Sequence, residues 1–226
     1  MPGKSKAGCP LAHLPYEEQL SFKREELRRV FDRDVTVHPS PLEAGYRGKV
    51  VFTVAPGAMG FRKPGEALSV VDVVDSLLLS DNANDVWRKV REAVRDVQGY
   101  ALSSHEGFLR YVTVREVSSG DVMVAFTTTT PSEAQEGAFR KVLETVSGFA
   151  TSVYWLVHDG KADDAAGSVR TYLGERHLVE EVCGKRFLMG PLTFFQSNVS
   201  VAGEMFSRIR ERVSGRVLGL FSGVGA

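Results

Sequence analysis

Residues 108–157 read FLRYVTVREVSSGDVMVAFTTTTPSEAQEGAFRKVLETVSGFATSVYWLV, and this stretch decides the fold. Phe108–Val117 and Val122–Thr128 are rich in β-branched and aromatic residues, the composition of buried strands. Ser118–Asp121 holds Gly120 between them and predicts a tight turn. Thr130-Pro131-Ser132-Glu133 has the spacing of a capping box with proline at the first helical position. The helix it opens is expected to run to about Ser147, with Gly148 ending it in a left-handed conformation. Thr151–Val157 reads as one more strand.

Upstream, Leu68–Val74 reads as a strand. Ser80 or Asp81 can cap a helix through Val97, with Trp87, Val90, Val94 and Val97 on one stripe. The order is then strand–helix–strand–strand–helix–strand. That is the ferredoxin-like split βαβ arrangement, in which a helix provides the crossover a parallel pair needs. Before it, Tyr16–Phe31 reads as a helix with Leu20, Leu27 and Phe31 on one face. Pro39 and Pro41 mark a loop, Lys49–Ala55 a strand and Pro56–Gly60 a turn. After Gly160, Ala162–Ala166 is a small acidic loop. Thr171–Leu173, Leu178–Val182 and Arg186–Met189 read as a hairpin meander, and Val199–Val213 as a helix. Arg216–Phe221 is a buried-type strand followed by Gly223-Val224-Gly225. A strand running into Gly-x-Gly opens class I nucleotide and S-adenosylmethionine folds, but simple turn chemistry also fits.

Composition narrows the class. The 226 residues are 43% hydrophobic and 25% charged, ordinary globular values that exclude a disordered or coiled-coil chain. No apolar run reaches the roughly 18–20 residues of a membrane span, and Met1–Gly8 is basic with no apolar stretch behind it. Lys+Arg and Asp+Glu are 28 each, so net charge neither suggests nor excludes nucleic acid. Cys9 and Cys183 form no metal or disulfide framework by themselves, and a reducing, cytoplasmic setting is expected. The five histidines lack HExxH spacing, and there is no Gly-x-Ser-x-Gly elbow or nucleotide P-loop.

The run Pro191-Leu192-Thr193-Phe194-Phe195-Gln196-Ser197-Asn198, then an amphipathic helix, then Val217-Leu218-Gly219-Leu220-Phe221-Ser222-Gly223-Val224-Gly225, resembles the RNA uridine-C5 methyltransferase family. Tyr46-Arg47-Gly48-Lys49 and Gly107-Phe108-Leu109-Arg110…Val114-Arg115 resemble further family elements in the expected order. The resemblance implies an α+β fold: a ferredoxin-like central domain followed by the start of a class I, Rossmann-like methyltransferase domain. It divides the chain into an N-terminal helix and linker at 1–45, an RNA-facing domain at 46–160 and a meander with the first helix and strand of the methyltransferase domain at 161–226. It implies S-adenosylmethionine as cofactor and rRNA or tRNA as partner, with no membrane. Gln196, Phe221, Gly223 and Gly225 are the implied cofactor residues. For Gln196, capping of the following helix is the alternative. Phe194 and Phe195 read as core.

Arg47, Lys49, Arg110 and Arg115 are candidate RNA phosphate contacts; solvated strand-edge charge is the other reading. Arg110 and Arg115 are an odd number of residues apart, so without a bulge a regular strand points them to opposite faces. Many family members hold a [4Fe–4S] cluster on four cysteines. Only Cys9 matches, Ser76 stands at the later position, and no cluster is expected. Gly219 replaces the usual loop aspartate. The family's nucleophilic cysteine and its proton-removing carboxylate would lie beyond Ala226, so the chain reads as the front half of such an enzyme with no catalytic residue of its own. Cys183 reads as a small buried hydrophobe.

Overall fold

The structure is a computed structural model that describes residues 3–216, 218, 223 and 224. α1 (Tyr16–Phe31) precedes β1 (Lys49–Ala55), β2 (Ala58–Lys63) and β3 (Glu66–Asp72). α2 (Asp81–Ala93), β4 (Leu109–Glu116), β5 (Val122–Thr128), α3 (Glu133–Ser147) and β6 (Ser152–Val157) follow. β7 (Ser168–Gly174), β8 (Leu178–Val182), β9 (Lys185–Met189) and α4 (Val199–Arg212) complete the described elements. Seven strands form a mixed sheet in the order β3-β2-β1-β4-β5-β6-β7, while β8 and β9 pair as a separate hairpin. Only β5 and β6 run parallel, joined by the α3 crossover.

The α+β class stands, but the ferredoxin-like sheet order does not. A split βαβ would seat β3 between β5 and β6; instead β5 and β6 pair directly, and β3 pairs only with β2 at the far edge. Ala58–Lys63 is a strand and not the end of a turn. Pro56-Gly57 closes a two-residue hairpin, with Ala55 opposite Ala58 and Gly57 at φ +78°. β2 therefore takes the free edge of β1, and β3 pairs beyond it. Gly60 masks the pattern in the sequence. A Cβ there would stand 2.0 Å from the Val71 carbonyl oxygen, so the close β2–β3 approach requires glycine.

β7 is longer than Thr171–Leu173 and pairs with β6 in the main sheet, so it is not part of a meander. The sheet thus crosses the boundary expected at residue 160. The α3 box is shifted two residues: Ser132 Oγ accepts from Gln135 N at 3.3 Å, and Gln135 Oε1 accepts from Ser132 N at 2.9 Å. Gly148 is right-handed, φ −72°. α2 ends at Ala93, short of Val97. The expected strand Arg216–Phe221 falls outside the described residues except for Arg216 and Leu218.

Two cores flank the sheet. On one face Phe52, Phe126 and Trp155 pack against Trp87 of α2 and Phe139 of α3. On the other, Met123, Ala125, Tyr154 and Leu156 pack against Leu178, Val182, Met189 and Phe195. β5 is buried along its whole length, which explains its unbroken apolar run. The second core matters for the site, because it seats the β8–β9 hairpin and the segment after it.

Candidate cofactor site

Residues 190–198 leave the hairpin and enter α4. Their path is fixed from three sides. Phe195 is buried, its ring centroid 5.2 Å from that of Phe187. Gly48 N donates to Ser197 O at 2.7 Å, and Arg115 Nη2 donates to Thr193 O. Gly190 N donates to Thr193 Oγ1 at 2.9 Å. Asn198, and not Gln196, caps α4: its Oδ1 accepts from Val201 N at 3.2 Å. The capping role that Gln196 could have had is therefore taken. Gln196 is exposed, and its amide has no hydrogen-bond partner among the described residues. An amide offers two donors and an acceptor, which suits the ammonium and carboxylate end of an amino acid. Phe194 is 72% exposed, so of the two phenylalanines only Phe195 is core. Gly223 is left-handed at φ +57°, with open space around it and no cradle a Cβ would fill. Phe221 and Gly225 lie outside the described residues.

The four candidate RNA cations separate. Arg110 is 1% exposed. Its guanidinium donates to His158 O at 2.6 Å, Gly160 O at 2.7 Å and Ala162 O at 2.7 Å, and lies 4.4 Å from the Tyr100 ring. Arg115 is 4% exposed and bonded to Thr193 O. Both guanidinium groups are buried and bonded to backbone carbonyls. The β4 register slips between Leu109 and Tyr111, so the bulge that could break their alternation does occur. Arg47 is half-buried on a cleft of about 900 Å³, and its Nε is buried without a partner. Glu116, Glu180, Glu181, Glu204 and Glu211 line the same cleft.

Lys49 is half-buried, and its Nζ lies 3.5 Å from Pro191 O. Burial, and secondly the charge of Arg115, push its ammonium down to about 8, with Asp164 opposing. In the unfolded chain it titrates near 10.5. Between these values the unfolded state binds more protons, so the stability this group contributes rises from about pH 8 to 10.5. Lys49→Met should therefore be stabilised relative to wild type at pH 7, the gain shrinking towards pH 10. Paired urea titrations across that range check this; a difference independent of pH would refute it.

Cys183 is exposed, not buried. It sits in the β8–β9 turn at φ +51°, followed by Gly184 at φ +73°, and its Sγ lies 3.4 Å from Gly203 O. Sequence reasoning placed it in a strand because Val182-Cys183 continues an apolar run; Gly184 was the available turn signal. Sequence reasoning also missed Glu180, 2% exposed, whose Oε1 accepts from Ser118 Oγ at 2.5 Å. Near the N-terminus, Ser5 N donates to Asp75 O at 2.7 Å and Leu77 N to Ser5 O at 3.0 Å, which brings the Cys9 segment to the Ser76 turn. Among the described residues no three His, Cys, Asp or Glu side chains are grouped to hold a metal ion. Nor is any described helix long and apolar enough to cross a membrane.

No protein-family model matches the chain. A tRNA (uracil(54)-C(5))-methyltransferase of Pyrococcus furiosus is 33% identical over 222 residues, 96% of this chain and 52% of that protein. A 23S rRNA (uracil(747)-C(5))-methyltransferase of Pyrococcus horikoshii is 28% identical over 232 residues, 100% of this chain and 55% of that protein. The crystal structure of the Pyrococcus abyssi tRNA (uracil-54, C5)-methyltransferase in complex with S-adenosyl-L-homocysteine superposes with a TM-score of 0.86 at 28% identity, covering 100% of this chain and 55% of that one. The chain spans about half the length of the relatives it matches.

Proposed function

We propose that this chain, a relative of the RNA uracil-C5 methyltransferases over about half of their length, contributes to S-adenosylmethionine-dependent methylation of uridine C5 in rRNA or tRNA. The observation that carries the proposal is the Gln196 loop. It is tied down at Thr193, Phe195 and Ser197, yet it presents an amide with no hydrogen-bond partner among the described residues. S-adenosylmethionine supplies an electrophilic methyl group on a sulfonium. Gln196 would hold its amino-acid end by hydrogen bonds; Gly223, and Phe221 and Gly225 outside the described residues, are the further cofactor residues proposed. Residues 46–160 face the RNA. Arg47 and Lys49 are the cations left for phosphate contact, since Arg110 and Arg115 are committed internally.

Uracil C5 is a poor nucleophile until a thiolate adds to C6, and the C5 proton must then be removed after methyl transfer. Cys183 is in a hairpin turn with its Sγ against Gly203 O, and Cys9 is half-buried with its thiol pushed up by burial. Neither suits that task, so the 226 residues alone are expected not to catalyse. A fusion of these residues to the part of the Pyrococcus furiosus enzyme that they do not cover is expected to transfer labelled methyl to C5 of uridine in RNA. Turnover by the unfused chain, or methylation at another atom, would overturn the proposal. Salt-dependent RNA binding without cofactor binding would favour a non-catalytic RNA-binding module instead.

A further inference from the structure

We infer that Arg115 is a buried positioning residue, with the buried carboxylate of Glu180 as its counter-charge: it holds the backbone that presents Gln196 and touches neither RNA nor cofactor itself. The inference rests on the reading of Gln196 given above, and it begins from a cost. A guanidinium that is 4% exposed has lost its hydration, and a carboxylate that is 2% exposed likewise. Such burial costs several kcal/mol per ion before pairing and is seldom the cheapest way to fill a core. Arg115 nevertheless takes few bonds in return. Its Nη2 donates to Thr193 O, its Nη1 lies 3.5 Å from Met189 Sδ, and its Nε has no partner. The one strong bond goes to the segment that carries Gln196.

Glu180 supplies the balancing charge, and the field it exerts on Arg115 opposes the effect of burial. It is fixed in turn by Ser118 Oγ at 2.5 Å, Ser118 N at 3.3 Å and Glu181 N at 3.2 Å. Arg115 on β4 holds Thr193, three residues before Gln196, while Glu180 on β8 is held by the β4–β5 turn and acts on Arg115 through its charge alone. Gly48 N fixes Ser197 O on the other side. Gln196 thus lies between two anchors from adjacent strands, with Phe195 buried beneath it. An apolar pair could fill the same volume, but it could not bond a carbonyl and so could not set the height of the loop.

The test uses the 226-residue chain. Arg115→Met alone would strand Glu180, so the double variant R115M/E180Q removes both charges while leaving the Ser118 bonds possible. Amide exchange is followed by NMR, together with a titration of S-adenosyl-L-homocysteine. The double variant is expected to lose protection by about tenfold or more at Gly48 and Gly190, whose N–H groups donate to Ser197 O and Thr193 Oγ1. Leu178–Val182 and β5 should keep theirs, and the urea midpoint should stay near wild type. Arg115→Lys, which keeps the charge but not the fork, should recover only part of the lost protection. If Gly48 and Gly190 stay protected, or if hairpin and loop lose protection together with the midpoint, the positioning role is refuted. If protection changes as expected but the wild type and Q196A respond identically to S-adenosyl-L-homocysteine, positioning stands and the cofactor role of Gln196 falls.

Discussion

Trp87→Ala should lower folding stability by about 4 kcal/mol, the largest single loss expected in this protein. Trp87 is fully buried and stacks on Phe52 with centroids 3.8 Å apart and planes 10° from parallel. Truncation removes the contact that fastens α2 to β1 and leaves a cavity that neighbouring strands cannot close. The indole also donates Nε1–H to Val73 O at 2.9 Å. That carbonyl would not be orphaned, because Arg91 Nη1 also reaches it at 3.1 Å. Lost packing, and not a lost hydrogen bond, should therefore dominate. It follows that Trp87→Phe should cost much less, about 1–2 kcal/mol, since it keeps an aromatic face for Phe52. Urea denaturation of the three proteins checks both values. Equal losses for Ala and Phe would mean that the hydrogen bond had been the larger contribution.

The second large effect is expected at Asn84, 1% exposed on α2. Its Oδ1 accepts from Ser76 N at 2.7 Å, and its Nδ2 faces Ser76 O at 3.0 Å, Leu79 O at 3.0 Å and Ser80 O at 2.9 Å. One side chain thus closes the turn at 76–80. The turn in turn receives Gly45 N on Leu77 O at 2.9 Å and Arg47 N on Leu78 O at 3.0 Å. Asn84→Ala leaves the buried Ser76 N–H and the Leu79 carbonyl unpaired, while Ser76 O keeps Leu79 N at 3.3 Å and Ser80 O keeps Asn84 N at 3.0 Å, and about 3 kcal/mol is expected. Asn84→Asp separates the causes. A carboxylate could still accept from Ser76 N but would face three carbonyls with no donor, so its acid form would be favoured in the folded state. Its folded pKa would exceed the unfolded value near 4, and the variant's stability should fall as pH rises above about 4. Thermal melts at pH 4 and pH 7 read this directly. A variant equally stable at both would refute the assignment of Nδ2 to the carbonyls.

How much of this was legible in the sequence depended on periodicity. α1, β5, β8 and α3 announced themselves through continuous or regularly spaced apolar residues, and Lys49–Ala55 matched its strand to the residue. β2 did not, because Gly60 and Arg62 interrupt its alternation and the reason for Gly60 is a neighbour in space, the Val71 carbonyl. Nothing in the local pattern shows that β5 and β6 pair directly, or that β3 lies beyond β2 at the edge. The motif Phe194-Phe195-Gln196 marked the right segment, but only the structure separates the exposed Phe194 from the buried Phe195 and gives the helix cap to Asn198. Arginines were the least legible. Arg110 and Arg115 look like strand-edge cations, and nothing local reveals that distant loops at 158–162 and Thr193 supply their acceptors.

The most direct test of the cofactor wall is equilibrium dialysis of S-adenosyl-L-homocysteine against the fusion described above, comparing Gln196→Ala with Asn198→Ala. A tenfold or greater weakening for Gln196→Ala is expected, on the order of 1.4 kcal/mol. Asn198→Ala should lose helix stability with little change in affinity for ligand. Unchanged affinity on removing the Gln196 amide would contradict the proposal.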